Sequence, residues 1–304
     1  MELQNKTIAI LGATGRMGKW FTSFFKSKGA KVTLWGRSPE RTKDVALSLG
    51  VIAATSLQDA VRDKDLVLVA TSIDSTPAIV RAAASYASQN TLIFDIASLK
   101  EESVDALEDA TRLGLKAVSV HPMFGPGADG FAGHKVILIP VSNDESLPEL
   151  KNVFENAGAE VHVMKSAKSH DKIIAFTLGL PHFLNMSLGM ILRDENIAEL
   201  KKYSGTTFGL QLLISESVLS DEPAQYAEIQ IRNSHFLAIL DRLQKVTEEL
   251  QKAVRKRDQT EFVNIFQSIR DSYSREPEFK EAYERFYRAW AAAVLRPNGN
   301  STAT

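Results

Sequence analysis

Cysteine is absent from the 304 residues. Disulfides, thiolate metal sites and a cysteine nucleophile are therefore excluded, and a reducing, cytoplasmic setting is the expectation. Net charge is nearly absent as well, since 36 Lys and Arg against 37 Asp and Glu leave a formal −1. Without an excess of positive charge, neither nucleic acid nor an anionic membrane surface is an expected partner. The six histidines, at 121, 134, 162, 170, 182 and 235, never form an H-E-x-x-H arrangement, so no metal is expected. Internal repeats and low-complexity stretches are missing. The opening residues, Met1 to Lys6, lack the cationic and apolar regions of an export signal.

What is present is ordinary for a globular chain: 44% hydrophobic and 24% charged residues, in a length that accommodates two domains with sizeable cores. One stretch, Ile173 to Leu192, carries no Asp, Glu, Lys or Arg and is long enough to span a bilayer. Thr177, Gly179, Pro181, His182, Asn185 and Ser187 interrupt it. The expectation is a helix buried on all sides by protein.

Short apolar runs alternate with helical patterns through the first half. The runs Thr7 to Leu11, Lys31 to Trp35, Leu66 to Ala70, Thr91 to Asp95 and Lys116 to Val120 read as strands, with helical patterns such as Pro39 to Leu49 and one from Glu101 between them. Repeated βα units predict a doubly wound, mostly parallel sheet with right-handed crossovers. Strands at Lys135 to Pro140 and Glu160 to Met164 complete this part. Beyond about Ser166 long helical patterns take over, placing a sheet domain at 1–165, a helical domain at 166–296 and a flexible tail at 297–304. The longest helix is expected from Pro223 to Arg255, with Phe236, Leu240, Leu243, Val246, Leu250 and Val254 on one apolar face. That face and the uncharged stretch exceed what one small helical domain needs to bury, which favours a symmetric dimer.

The first strand runs directly into Gly12-Ala13-Thr14-Gly15-Arg16-Met17-Gly18 and then a helix. Glycines at a strand-to-helix turn let backbone N–H groups approach a pyrophosphate, so Gly12, Thr14, Gly15, Arg16, Met17 and Gly18 are candidate dinucleotide contacts. The spacing is G-x-x-G-x-x-G, with Ala13 off the usual G-x-G-x-x-G pattern. After the second strand no acid is available for a ribose 2′-OH. Arg37, Ser38 and Arg41 stand there instead, which selects NADP, with NAD the alternative. Thr71 and Ser72, after the fourth strand, are expected close to the same cofactor.

The second motif is Val118-Ser119-Val120-His121-Pro122-Met123-Phe124-Gly125-Pro126-Gly127. It places His121 where a strand stops and an irregular turn begins, a position where open α/β sheets bind ligands. Ser98 follows the neighbouring strand. A histidine beside a nicotinamide can take the proton of a hydroxyl group as hydride leaves its carbon. His121 and Ser98 are the catalytic candidates.

His121-Pro122-Met123-Phe124-Gly125-Pro126, Asp95-Ile96-Ala97-Ser98-Leu99-Lys100, and His170-Asp171 followed by Leu180-Pro181-His182 resemble the prephenate/arogenate dehydrogenases of tyrosine biosynthesis, particularly the archaeal type. The resemblance implies a Rossmann domain followed by an all-α dimerisation domain, a homodimer, and oxidative decarboxylation of prephenate or arogenate by a cytoplasmic enzyme. It makes His121 the catalytic base or hydrogen-bond acceptor and Ser98 its partner on the ring hydroxyl. Two positions depart from the family pattern: Gly179 stands where many bacterial members have a histidine, and Gly209 near where they carry a carboxylate-binding arginine. Lys100, Lys172, Arg193, Arg232 and His182 are then the candidate cations for the substrate, with Gly125 supplying backbone. Other NADP oxidoreductases of this architecture, of the coenzyme F420 reductase or β-hydroxyacid dehydrogenase type, and a non-catalytic NADP-sensing protein, are the alternatives.

Overall fold

The computed structural model describes residues 1–294; the expected tail at 297–304 lies outside them. The described chain divides into two compact units, one of residues 1–175 with 227–233 and one of residues 176–226 with 234–294.

The first unit is built on eight strands: β1 (Thr7–Leu11), β2 (Lys31–Trp35), β3 (Ile52–Ala53), β4 (Leu66–Val69), β5 (Leu92–Asp95), β6 (Lys116–Pro122), β7 (Lys135–Pro140) and β8 (Glu160–Val163). Their spatial order is β3-β2-β1-β4-β5-β6-β7-β8. Pairing is parallel except between β6 and β7. The expected doubly wound, mostly parallel sheet is therefore present. The helices between the strands are α1 (Arg16–Ser27), α2 (Pro39–Leu49), α3 (Leu57–Val61), α4 (Thr76–Ala84), α5 (Glu101–Arg112) and α6 (Ser146–Glu155), and α7 (Ala167–Ile174) follows β8.

Why the strands read as unbroken apolar runs is visible in the two cores. Ile8, Ile10, Leu68, Phe94, Val118 and Val120 belong to one cluster, and Ala9, Leu11, Val67, Val69, Ile93 and Ala117 to the other. Alternate residues thus face opposite sides of a sheet covered on both faces. Strand order reverses between β1 and β4, opening the crevice in which such sheets bind ligands.

The second unit is helical: α8 (Leu180–Leu192), α9 (Ile197–Tyr203), α10 (Thr206–Leu219), the first residues of α11 (Pro223–Ile231), then α12 (Phe236–Lys256), α13 (Gln259–Tyr273) and α14 (Ala282–Val294). Two expectations need correction here. The single long helix from Pro223 is two helices, interrupted at 232–235, where the Asn233 side chain is buried and donates to the Asp171 carbonyl (2.9 Å). Nor is α8 buried on all sides, because Asn185 is its one buried residue whereas Met190 and Ile191 are 67% and 73% exposed. It packs on α10 through Asn185, which receives a hydrogen bond from Gln211 (2.8 Å) and, at its carbonyl, one from Ser215 (2.9 Å). Leu184, Met186, Met190 and Ile191, like Val246 and Val254 on α12, are exposed in a single chain.

Candidate active site

The glycine turn after β1 is built for close approach. Gly12 has φ +90°, and a Cβ there would lie 2.3 Å from the carbonyl oxygen of Ala70, so only glycine fits. Gly18 plays a different part: a Cβ on it would meet the Gly12 carbonyl oxygen at 2.6 Å, so its bare backbone lets α1 sit against the end of β1. Gly12, Thr14 and Gly15 line a cavity of about 520 Å³ together with Arg37, Ser38, Arg41, Thr71 and Ser72. Eight of the predicted cofactor contacts are thus brought together, joined by Trp35, Gly36, Ala70, Ser75 and Ile79, which sequence reasoning missed. Arg16, Met17 and Gly18 lie outside the lining, and Met17 packs on the core. No carboxylate is among the lining residues. Ser38 caps α2, accepting from the Arg41 N–H, so the cavity meets a helix N-terminus flanked by two guanidinium groups. Below it, the hydroxyls of Thr71 and Thr76 (2.9 Å) and of Ser72 and Ser75 (2.6 Å) lock the turn after β4.

His121 lies inside β6, not beyond it. It is paired with Ile137, and the ladder continues to Pro122 opposite Val136. Its antiparallel partner, unforeseen beside this motif, carries the strand further than the proline suggested. The turn that follows is anchored by aromatics. Phe124 packs at a tilt of 58° against Trp20 of α1 (5.0 Å between centroids) and meets Phe131 edge-on (5.5 Å), while the Trp20 indole N–H donates to the Ala128 carbonyl (2.7 Å). Each aromatic pair adds roughly 0.5–1.5 kcal/mol beyond its burial, enough to hold this glycine-rich segment in one conformation. Gly125 is exposed at its tip. Ser98 is half-buried in the turn after β5.

Behind His121 is a polar network of buried groups. His121 Nδ1 lies 2.9 Å from His170 Nε2, and His170 Nδ1 lies 2.7 Å from Asp171 Oδ1. Asp171 also accepts the backbone N–H groups of Lys100 (2.9 and 3.0 Å) and Glu101 (3.0 Å), fixing α7 against the start of α5. Burial, with the charges of His170 and Lys100, holds His121 well below its usual range. Burial also lowers His170, against the opposing pull of Asp171. Both shifts favour the neutral ring. In the sequence His170 and Asp171 stand out only as part of the family resemblance. A buried imidazole next to a carboxylate on one helix was the available signal.

Lys100 corrects an expectation. Its side chain is fully buried, its amine donating to Asp95 Oδ2 (2.7 Å) and the Val120 carbonyl (2.6 Å), while Ser119 donates to Asp95 Oδ1 (2.5 Å). It ties β5 to β6 and presents no cation to a ligand. Burial lowers its pKa, opposed by Asp95. Arg232 is paired with Glu102 (2.7 Å), and Lys172 and Arg193 are exposed. In the helical unit, His182 packs its ring 4.5 Å from that of Tyr226, and its buried Nδ1 has no hydrogen-bond partner. The two departures from the family pattern have packing reasons. A Cβ at Gly179 would lie 2.9 Å from the Phe236 ring and one at Gly209 2.4 Å from that of Trp290, so neither position has room for a histidine or an arginine.

A twisted parallel sheet, a glycine turn at its switch point and a cavity at the strand ends define a dinucleotide-binding domain of the Rossmann type. Residues 21–163 match the family model for the nucleotide-binding domain of prephenate dehydrogenase, and residues 166–268 that for its dimerization domain. The chain belongs to the prephenate/arogenate dehydrogenase family. It is 32% identical over 91% of its length to a probable arogenate/prephenate dehydrogenase of Methanocaldococcus jannaschii, and spans 63% of that protein. It is 28% identical to a cyclohexadienyl dehydrogenase of Zymomonas mobilis, over 83% of this chain and 90% of that one. The solved structure of prephenate dehydrogenase from A. aeolicus, in complex with hydroxyphenyl propionate and NAD+, shares the fold, with a TM-score of 0.72 at 23% identity over 90% of this chain and 99% of that one.

Proposed function

We propose that this chain is an NADP-dependent dehydrogenase that oxidatively decarboxylates prephenate to 4-hydroxyphenylpyruvate, or arogenate to tyrosine. The observation that carries the reading is a buried histidine near the carboxyl end of β6, in the same sheet as a glycine-lined cavity suited to a dinucleotide. Bound there, the cofactor supplies a hydride acceptor. His121 takes the proton of the ring hydroxyl while Ser98 orients that hydroxyl. As hydride leaves the carbinol carbon the ring carboxylate departs as carbon dioxide, its bonding electron pair passing into the ring, and the proton held on His121 returns to the oxygen of the new phenol, so the net loss is one hydride and one carbon dioxide.

Arg37, Ser38 and Arg41, in a cavity without a lining carboxylate, support NADP over NAD, because a 2′-phosphate needs cations where a free 2′-OH needs an acceptor. Gly125 and His182, with Lys172, Arg193 and Arg232, are our candidates for holding the substrate. The helical unit pairs with a second copy, a reading supported by its exposed apolar residues and by the description of the matching family model. A cytoplasmic setting completes the reading, in keeping with a chain free of cysteine.

The test is to follow NADPH absorbance with prephenate and then with arogenate, repeating both with NAD. Turnover with one ring substrate and a higher kcat/KM for NADP is the expected result. Absorbance unchanged with both would reject the activity, and a preference for NAD would reject the role given to Arg37 and Arg41.

A further inference from the structure

The buried chain behind His121 is longer than a base at a strand end requires, and its hydrogen bonds have only one consistent direction. A carboxylate can only accept, and Asp171 already accepts from the backbone N–H groups of Lys100 and Glu101. His170 Nδ1, 2.7 Å from Asp171 Oδ1, must therefore donate. A neutral imidazole has one N–H, so His170 Nε2 is bare and accepts from His121 Nδ1, at 2.9 Å. His121 then carries its proton on Nδ1 and keeps a lone pair on Nε2.

We propose that His170 and Asp171 are positioning residues that hold His121 in the tautomer whose Nε2 is a base, and that pair the imidazolium formed on proton transfer with the Asp171 carboxylate through His170. The inference rests on His121 being the base. No atom of His170 or Asp171 needs to touch the substrate. When the hydroxyl proton moves to His121 Nε2, the bond from His121 Nδ1–H to His170 stays in place, and the new positive charge lies at the end of a chain that terminates in a carboxylate. In an interior where charge is weakly screened, such a chain favours the protonated product of the step without protonating the resting ring.

Asp171→Asn separates this from a purely structural role. The amide oxygen can still accept from Lys100 and Glu101, but that turns its NH2 toward His170 Nδ1 and reverses every donor in the chain, leaving His121 protonated on Nε2. Two readings are taken on the full-length protein. Histidine nitrogen NMR without substrate should show His121 protonated on Nδ1 in the wild type and on Nε2 in Asp171→Asn. Steady-state kinetics should show kcat lower by about 10²–10⁴ with the NADP Kd unchanged, the range expected when a base is held in the wrong tautomer. Wild-type His121 protonated on Nε2 would overturn the proposal without any variant, and so would Asp171→Asn with kcat within about three-fold of wild type. Failure of the underlying reading looks different: His121→Asn would then retain turnover, whatever tautomer the substrate-free spectra report.

Discussion

At the scale of single residues, the proposed chemistry turns on one buried imidazole. Burial first, then the charges of His170 and Lys100, hold His121 well below 6.5; the ionisable groups around it are His170 and Asp171 on α7, Lys100 beyond β5 and Asp95 at its end. An unfolded histidine protonates near pH 6.5. The folded one does not, so the stability from its neutral form is complete above pH 6.5 and is lost as pH falls toward the lower folded value. For catalysis the same shift means that the acid limb of kcat/KM lies below pH 6.5, and a limb at or above that value would contradict it. Individual site residues were legible in the sequence where a special backbone demanded them, as at Gly12, or where a residue was out of pattern, as at Arg37. Lys100 was misread because nothing in its local sequence says that Asp95, five residues earlier, would draw its amine into the sheet.

At the scale of elements, the strands and crossovers could be read almost residue by residue, because a sheet buried on both faces leaves an apolar run that no helix of that length imitates. The helices of the second half were less legible. Periodicity carried one helix through 232–235 because a break made by a buried Asn233 bonded to a distant carbonyl leaves no local mark. The junction of α1 with β1 gives a prediction at this level. Replacing Gly18 with Ala would gain about 1 kcal/mol of helix propensity. A Cβ placed 2.6 Å from the Gly12 carbonyl oxygen forces the helix away, and overpacking of this kind costs roughly 1–3 kcal/mol. The overlap wins. Gly18→Ala is expected to lower the melting temperature and weaken NADP binding; an unchanged or higher melting temperature with full affinity would show that the turn tolerates the displacement.

At the scale of the whole molecule, the helical unit leaves large apolar side chains exposed, among them Met190, Ile191, Val254 and Phe266. The expected burial of the uncharged helix on all sides by protein is not met within one chain, where Met190 and Ile191 stay exposed. The function proposed above joins two features of one sheet, the buried His121 in β6 as proton acceptor and the cavity at the β1–β4 crevice as the dinucleotide site. The most direct measurement compares wild type and His121→Asn for turnover of whichever ring substrate is accepted, and for NADP affinity by titration. Loss of kcat by about 10²–10⁴ at unchanged NADP Kd is the predicted result. Turnover within a few-fold of wild type would contradict the account.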